Sequence, residues 1–126
     1  MNSFDVIKVF TKIQIELKFY HWKTSSYSRH IASGDLYDSL NKSIDDFVEI
    51  YQGKYKKINL DQINQIDLSN TNDNNIIILL EDFKSFLLYD LEDFLSNGLM
   101  LNVDLKNLRD EILAKVNKTL YLFTLQ

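Results

Sequence analysis

Four stretches of this chain repeat apolar residues every three or four positions, the period of one helical face. From Phe4 to about Lys23 the stripe is Val6, Phe10, Ile13, Leu17 and Tyr20. From about Ser33 to Tyr51 it is Leu36, Leu40, Ile44, Phe47 and Tyr51, with Gly53 where a C-terminal cap belongs. A third runs from Ile76 to about Ser96 through Leu80, Phe83, Leu87, Leu91 and Phe94, and "SNG" closes it. The fourth runs from about Val103 onward through Leu105, Leu108, Ile112, Val116, Leu120 and Phe123. Four helices with one apolar face each bury those faces most economically against one another. The expected fold is therefore all-α, a single four-helix bundle domain over residues 1–126. Three glycines and no proline leave few turn-formers for a strand-rich fold, and 45% hydrophobic residues suffice for a core. The long middle connection, "KYKKINLDQINQIDLSNTNDNN" at 54–75, has room for one short amphipathic helix through Ile58, Leu60, Ile63 and Ile66.

The charge balance excludes some partners. At a formal net charge of -4 the chain lacks the broadly basic surface of a nucleic-acid binder, and three lysines in "KYKK" at 54–57 read as solvating a loop. DNA binding is not expected. The longest apolar run, Ile76 to Leu80, is too short to span a bilayer, so no membrane partner is expected either. Met1 and Asn2 lead into "SFDVIKVF", which has neither the basic region nor the long apolar stretch of a signal peptide. An intracellular, cytoplasmic location follows as an expectation. With no cysteine, thiolate metal sites and cysteine nucleophiles are excluded, and no phosphate-binding glycine loop is present.

What remains is a cluster of possible ligands. Both histidines, His21 and His30, lie in "FYHWKTSSYSRH" beside the only tryptophan, Trp22. Fifteen residues after His30 come Asp45 and Glu49, one turn apart in "DDFVEIYQG". At about 100° per residue, Asp45 and Glu49 fall within roughly 20° of Asp38, one on either side, on the second helix. Leu36, Leu40, Phe47 and Tyr51 lie about 160° to 220° away, so the acidic residues face outward from the core of their own subunit. Taken singly, the acidic stripe is a solvated face, His21 a residue at the edge of the apolar stripe, and His30 the end of an exposed loop. Taken together they suggest a metal site completed by a second copy, with imidazoles from one subunit meeting carboxylates of the other. Mixed nitrogen and oxygen ligands suit iron, with zinc or manganese as alternatives.

In this arrangement the chain resembles the Dps branch of the ferritin-like proteins, small iron-oxidising bundles that form cages. The resemblance rests on "HW" near the end of the first helix, a second histidine after a short Ser-rich connection, and Asp-x-x-x-Glu fifteen residues further on. It implies a ferritin-like bundle forming a two-fold dimer or larger homo-oligomer. It also implies a ferroxidase centre at the two-fold interface, with His21, His30, Asp45 and Glu49 as metal ligands. Fe(II) would be oxidised there by peroxide or oxygen, with iron or peroxide detoxification as the purpose, and Trp22 would shield the site or take up an oxidising equivalent. Three departures stand out. The family's usual aspartate four residues after the second histidine is here Gly34, with Asp35 and Asp38 as the nearest substitutes. The connection between the histidines is about three residues short, and the basic DNA-binding tail of some members is missing. The motif is most similar to Dps-like proteins of large DNA viruses and phages, which would place the chain in a host cell or virion. Gly34 and the short connection favour a rival expectation: a structural or interaction protein that keeps the bundle and dimer interface but has lost the metal chemistry.

Overall fold

The computed structural model describes residues 1–125, and among them every regular element is helical. Helix α1, Ser3–Lys23, starts at a reciprocal cap in which the Asn2 side chain accepts from the Asp5 amide and the Asp5 carboxylate accepts from the Asn2 amide. All five apolar positions of its expected stripe are buried.

Helix α2, Tyr27–Lys54, is longer at both ends than its apolar stripe implies. Ser26 caps it by accepting from the Arg29 amide, so the polar run that reads as a loop is mostly helix and the connection shrinks to residues 24–26. His30 is therefore on the first turn of a helix and not at the end of a loop. Gly53 lies within the last turn and does not cap it; Tyr55 closes the helix through its amide to the Tyr51 carbonyl.

The middle connection also departs from expectation. In place of an amphipathic helix there is one 3-10 turn, Leu60–Gln62, begun by the Asn59 side chain accepting from the Asp61 amide. Ile58 is buried and Leu60 exposed, so the four apolar residues do not share a helical face. The chain then runs without regular structure through residue 72 and is tied to α1 by Glu16: the carboxylate accepts from the Ser69 amide at 2.5 Å, the Thr71 amide at 3.2 Å and the Thr71 hydroxyl.

The third helical arm is α3, Ile76–Ser85, then a π-helical turn, Phe86–Asp90, then α4, Leu91–Ser96. The wider turn buries both Phe86 and Leu87, and its Leu87 carbonyl accepts from Arg109 Nη1 at 3.1 Å. Helix α5, Val103–Leu122, completes the set. Helix α1 packs on α2, α2 on α5, α5 on α3 and α4, and α3 on α1, so the four arms close around one core. At its centre Phe10 meets Phe47 edge-on at 5.2 Å and Phe86 at 5.8 Å. Among the described residues no helix is long and apolar enough to cross a membrane.

Candidate metal centre

The short α1–α2 connection turns the last turn of α1 back onto the first turn of α2, and this brings His21 and His30 together. Their rings stack with centroids 3.9 Å apart and planes 13° apart. His21 Nδ1 lies 2.7 Å from the His30 carbonyl oxygen, and His30 Nδ1 lies 2.8 Å from the His21 carbonyl oxygen. A carbonyl can only accept, so each Nδ1 carries the hydrogen. In the neutral rings the free lone pair is thereby assigned to Nε2 on both. An Nδ1–H fixed on a backbone carbonyl is also the usual orienting contact behind a metal-binding imidazole. The His30 ring has a structural effect as well, because the His21 carbonyl is one of the last four of α1 and has no partner further along that helix.

Gly34 is what gives the His21 ring its place. A Cβ at position 34 would fall 2.9 Å from His21 Cε1 and 3.1 Å from its Nδ1. Beside it is a shallow surface hollow of about 300 Å³, lined by Lys18, His21, Ile31, Gly34, Asp35, Tyr37 and Asp38. Of the expected ligands, then, His21 and Asp38 border one hollow, joined by Asp35. The Lys18 ammonium sits on its rim, 4.6 Å from the Tyr37 ring centroid and 5.1 Å from that of Trp22. Sequence reading missed this lysine, although its spacing of four from Trp22 on one helix face was a usable signal.

Asp45 and Glu49 are exposed on the outer face of α2, as the helical wheel requires. They do not join the histidines: fifteen residues of helix separate His30 from Asp45, about 22 Å at the α-helical rise. Among the described residues of a single chain, no three His, Asp or Glu side chains are grouped so as to hold a metal ion. Trp22 is 64% exposed and stacks on the exposed Phe19 at 6.2 Å.

The corner carrying the histidines is buttressed from the turn before α3. The Asp73 carboxylate accepts from the Tyr20 and Thr24 hydroxyls, both at 2.7 Å. These two hydroxyls, Thr24 foremost, hold its carboxyl below the usual aspartate range. Burial pushes the Tyr20 phenol up. Arg29 packs over the Phe123 ring at 5.1 Å, tying the start of α2 to the end of α5.

A model of a family of unknown function, DUF5856, matches residues 21–123, and the chain belongs to that family. The DUF5856 match begins at His21 and contains the whole of α2, so both histidines and the outward carboxylates lie inside it. No curated protein and no solved structure matches the chain.

Proposed function

We propose that this DUF5856 protein is a Dps-like, ferritin-like bundle that binds iron at a site shared between two copies and oxidises Fe(II) there. The observation that carries the reading is the fixed hydrogen on both Nδ1 atoms, which leaves two Nε2 lone pairs as nitrogen donors, while among the described residues of one chain no three His, Asp or Glu are grouped to complete a metal site. Asp45 and Glu49 are the complementary half, exposed on α2 and about 22 Å from the histidines of the same chain. A second copy running antiparallel along α2 would bring each half to the other's. Phe19, Trp22 and Ile31 are exposed beside the histidines, and such a copy would cover them. In this site the imidazoles bind neutral and the carboxylates supply the negative charge that favours Fe(III) over Fe(II). Each Fe(II) gives up one electron, and two of them reduce one hydrogen peroxide, with two protons, to two waters. Iron is the first choice of ion, with zinc or manganese able to occupy the same donors.

The test is subunit mixing. His21→Ala with His30→Ala, and separately Asp45→Ala with Glu49→Ala, should each abolish Fe(II) oxidation in homo-oligomers. A heterodimer of the two variants holds one site with both halves intact, so co-assembly should restore up to about half the wild-type rate per heterodimer. No recovery after verified co-assembly refutes the shared site.

One observation favours a second reading. The planes of the stacked rings are 13° apart, so in-plane lone pairs on the two rings do not converge on a single ion. In that reading the histidines serve as a clasp between α1 and α2 in a non-enzymatic structural or interaction protein. Unmodified protein that neither retains iron nor oxidises Fe(II), but loses stability on His30→Ala, selects it.

A further inference from the structure

The end of the molecule opposite the histidines holds a feature that the metal reading does not use. Between α4 and α5 the chain reads Gly98-Leu99-Met100-Leu101-Asn102-Val103. Leu99 is fully exposed (108%), Leu101 is 85% exposed, and Met100 and Val103 are exposed with them. The loop is nonetheless firmly based. Asn102 is buried, donates through Nδ2 to the Leu95 carbonyl at 2.8 Å, and accepts at Oδ1 from the Tyr55 hydroxyl at 2.7 Å and Lys54 Nζ at 2.9 Å. Lys54 Nζ also donates to the Leu101 carbonyl and to Asp104, both at 2.9 Å. Four apolar side chains are thus held out into water by a pinned backbone, an arrangement that marks a contact surface.

The charge beside the tip says what kind of surface it meets. Lys56 and Lys57 follow directly on Tyr55, whose hydroxyl holds the loop base, and both are exposed. Asp104, the acid that follows the loop in sequence, is already paired with Lys54, whereas Lys56 and Lys57 form no ion pair among the described residues. An apolar tip with two unpaired cations at its base fits a layer of phosphates over hydrocarbon. Two tips meeting about a two-fold axis would instead bring like charges together.

We propose that the 99–103 loop docks this protein on an anionic membrane surface, with Leu99, Met100, Leu101 and Val103 entering the interfacial zone and Lys56 and Lys57 at the level of the lipid phosphates. Absence of a spanning segment does not oppose this, because surface docking needs none. The proposal shares no residue with the metal reading and stands apart from it.

Flotation of the full chain with vesicles of phosphatidylcholine, with and without phosphatidylglycerol, is the test. The chain should float with the anionic vesicles at low salt and release as salt rises. Leu99→Ser with Leu101→Ser should lower the partition coefficient at least about tenfold. Lys56→Gln with Lys57→Gln should lower it about fivefold per lysine, on anionic vesicles alone. All four positions are exposed, so circular dichroism should show an unchanged fold. Wild-type protein that stays at the bottom with anionic vesicles overturns the proposal, as does a serine variant that floats as well as wild type. Loss of a larger species in sedimentation on the serine changes, without vesicle binding by the wild type, also overturns it and makes the tip a contact between copies.

Discussion

Replacing Glu16 should unfasten the middle connection from α1. Among the described residues it is the one buried charged side chain, 1% exposed, and it is a single-carboxylate anchor for the irregular segment before α3. Ser69 and Thr71 donate their amides to it on either side of Asn70, which adopts φ 52, the left-handed conformation that asparagine tolerates better than most residues. Hydrogen bonds to a charged group contribute about 1.5–3 kcal/mol each, and they do not add fully. Glu16→Ala removes three acceptor contacts at once and leaves the Thr71 amide buried without a partner. The expected loss is about 3 kcal/mol. For a domain of this size that is a fall in Tm of about 10–15 °C. Glu16→Gln keeps the shape but offers one acceptor oxygen and an NH₂ group where a second acceptor was needed, so it should lose about 2 kcal/mol.

The same carboxylate makes a pH prediction. Burial, its largest single influence, pushes the carboxyl up. The Thr71 hydroxyl, the two amides and nearby Lys12 together outweigh burial and hold it below the ordinary 4.5. A depressed folded value means the anchor's contribution is complete above the unfolded carboxylate value and is lost as pH falls through the folded one. Urea unfolding near neutral pH should separate wild type from Glu16→Gln, and the gap should close well below 4.5. Hydrogen exchange at the Thr71 amide should speed up in both variants. A loss under about 0.5 kcal/mol for Glu16→Ala would show that the segment is held by something other than this carboxylate.

Gly34→Ala should be destabilising although alanine gains about 1 kcal/mol over glycine within a helix, because the new Cβ displaces the His21 ring at about 1–3 kcal/mol. In a His21→Ala background the same change should become stabilising by about 1 kcal/mol, and thermal unfolding of the four proteins reads the sign reversal. Asn102→Ala should cost about 2–3 kcal/mol in chemical denaturation, since it strips partners from the Leu95 carbonyl, the Tyr55 hydroxyl and Lys54 together.

The apolar stripes were legible because burial of a helix depends on period alone, and Leu17, Leu40, Leu80 and Ile112 are all buried as their spacing requires. The outward direction of Asp38, Asp45 and Glu49 followed from the same arithmetic. The start of α2 did not, since a serine-rich run looks like a loop by composition while one serine, Ser26, suffices as a cap for the helix that follows. The middle connection misled for the opposite reason: Ile58, Leu60, Ile63 and Ile66 fit a helical period locally, but Glu16, more than fifty residues away from Thr71, binds the later part of the segment by its backbone amides outside any helix. The π-helical turn and the arrangement of the two imidazoles likewise involve contacts that periodicity does not report, Arg109 to the Leu87 carbonyl and each histidine to the other's backbone.

Position 34 links these local facts to the question of function. With His21 Nδ1 on the His30 carbonyl, its ring lies over Gly34 so closely that a residue with a Cβ and the present ring position exclude one another. A carboxylate at 34, as in the Dps pattern, would require the ring to leave the carbonyl that now fixes its hydrogen on Nδ1. The three-residue connection at 24–26 holds the two helix ends close enough for the rings to stack at 3.9 Å, so the short connection and the glycine belong to one arrangement. Asp35 and Asp38 are the acidic residues that border the hollow beside the His21 ring.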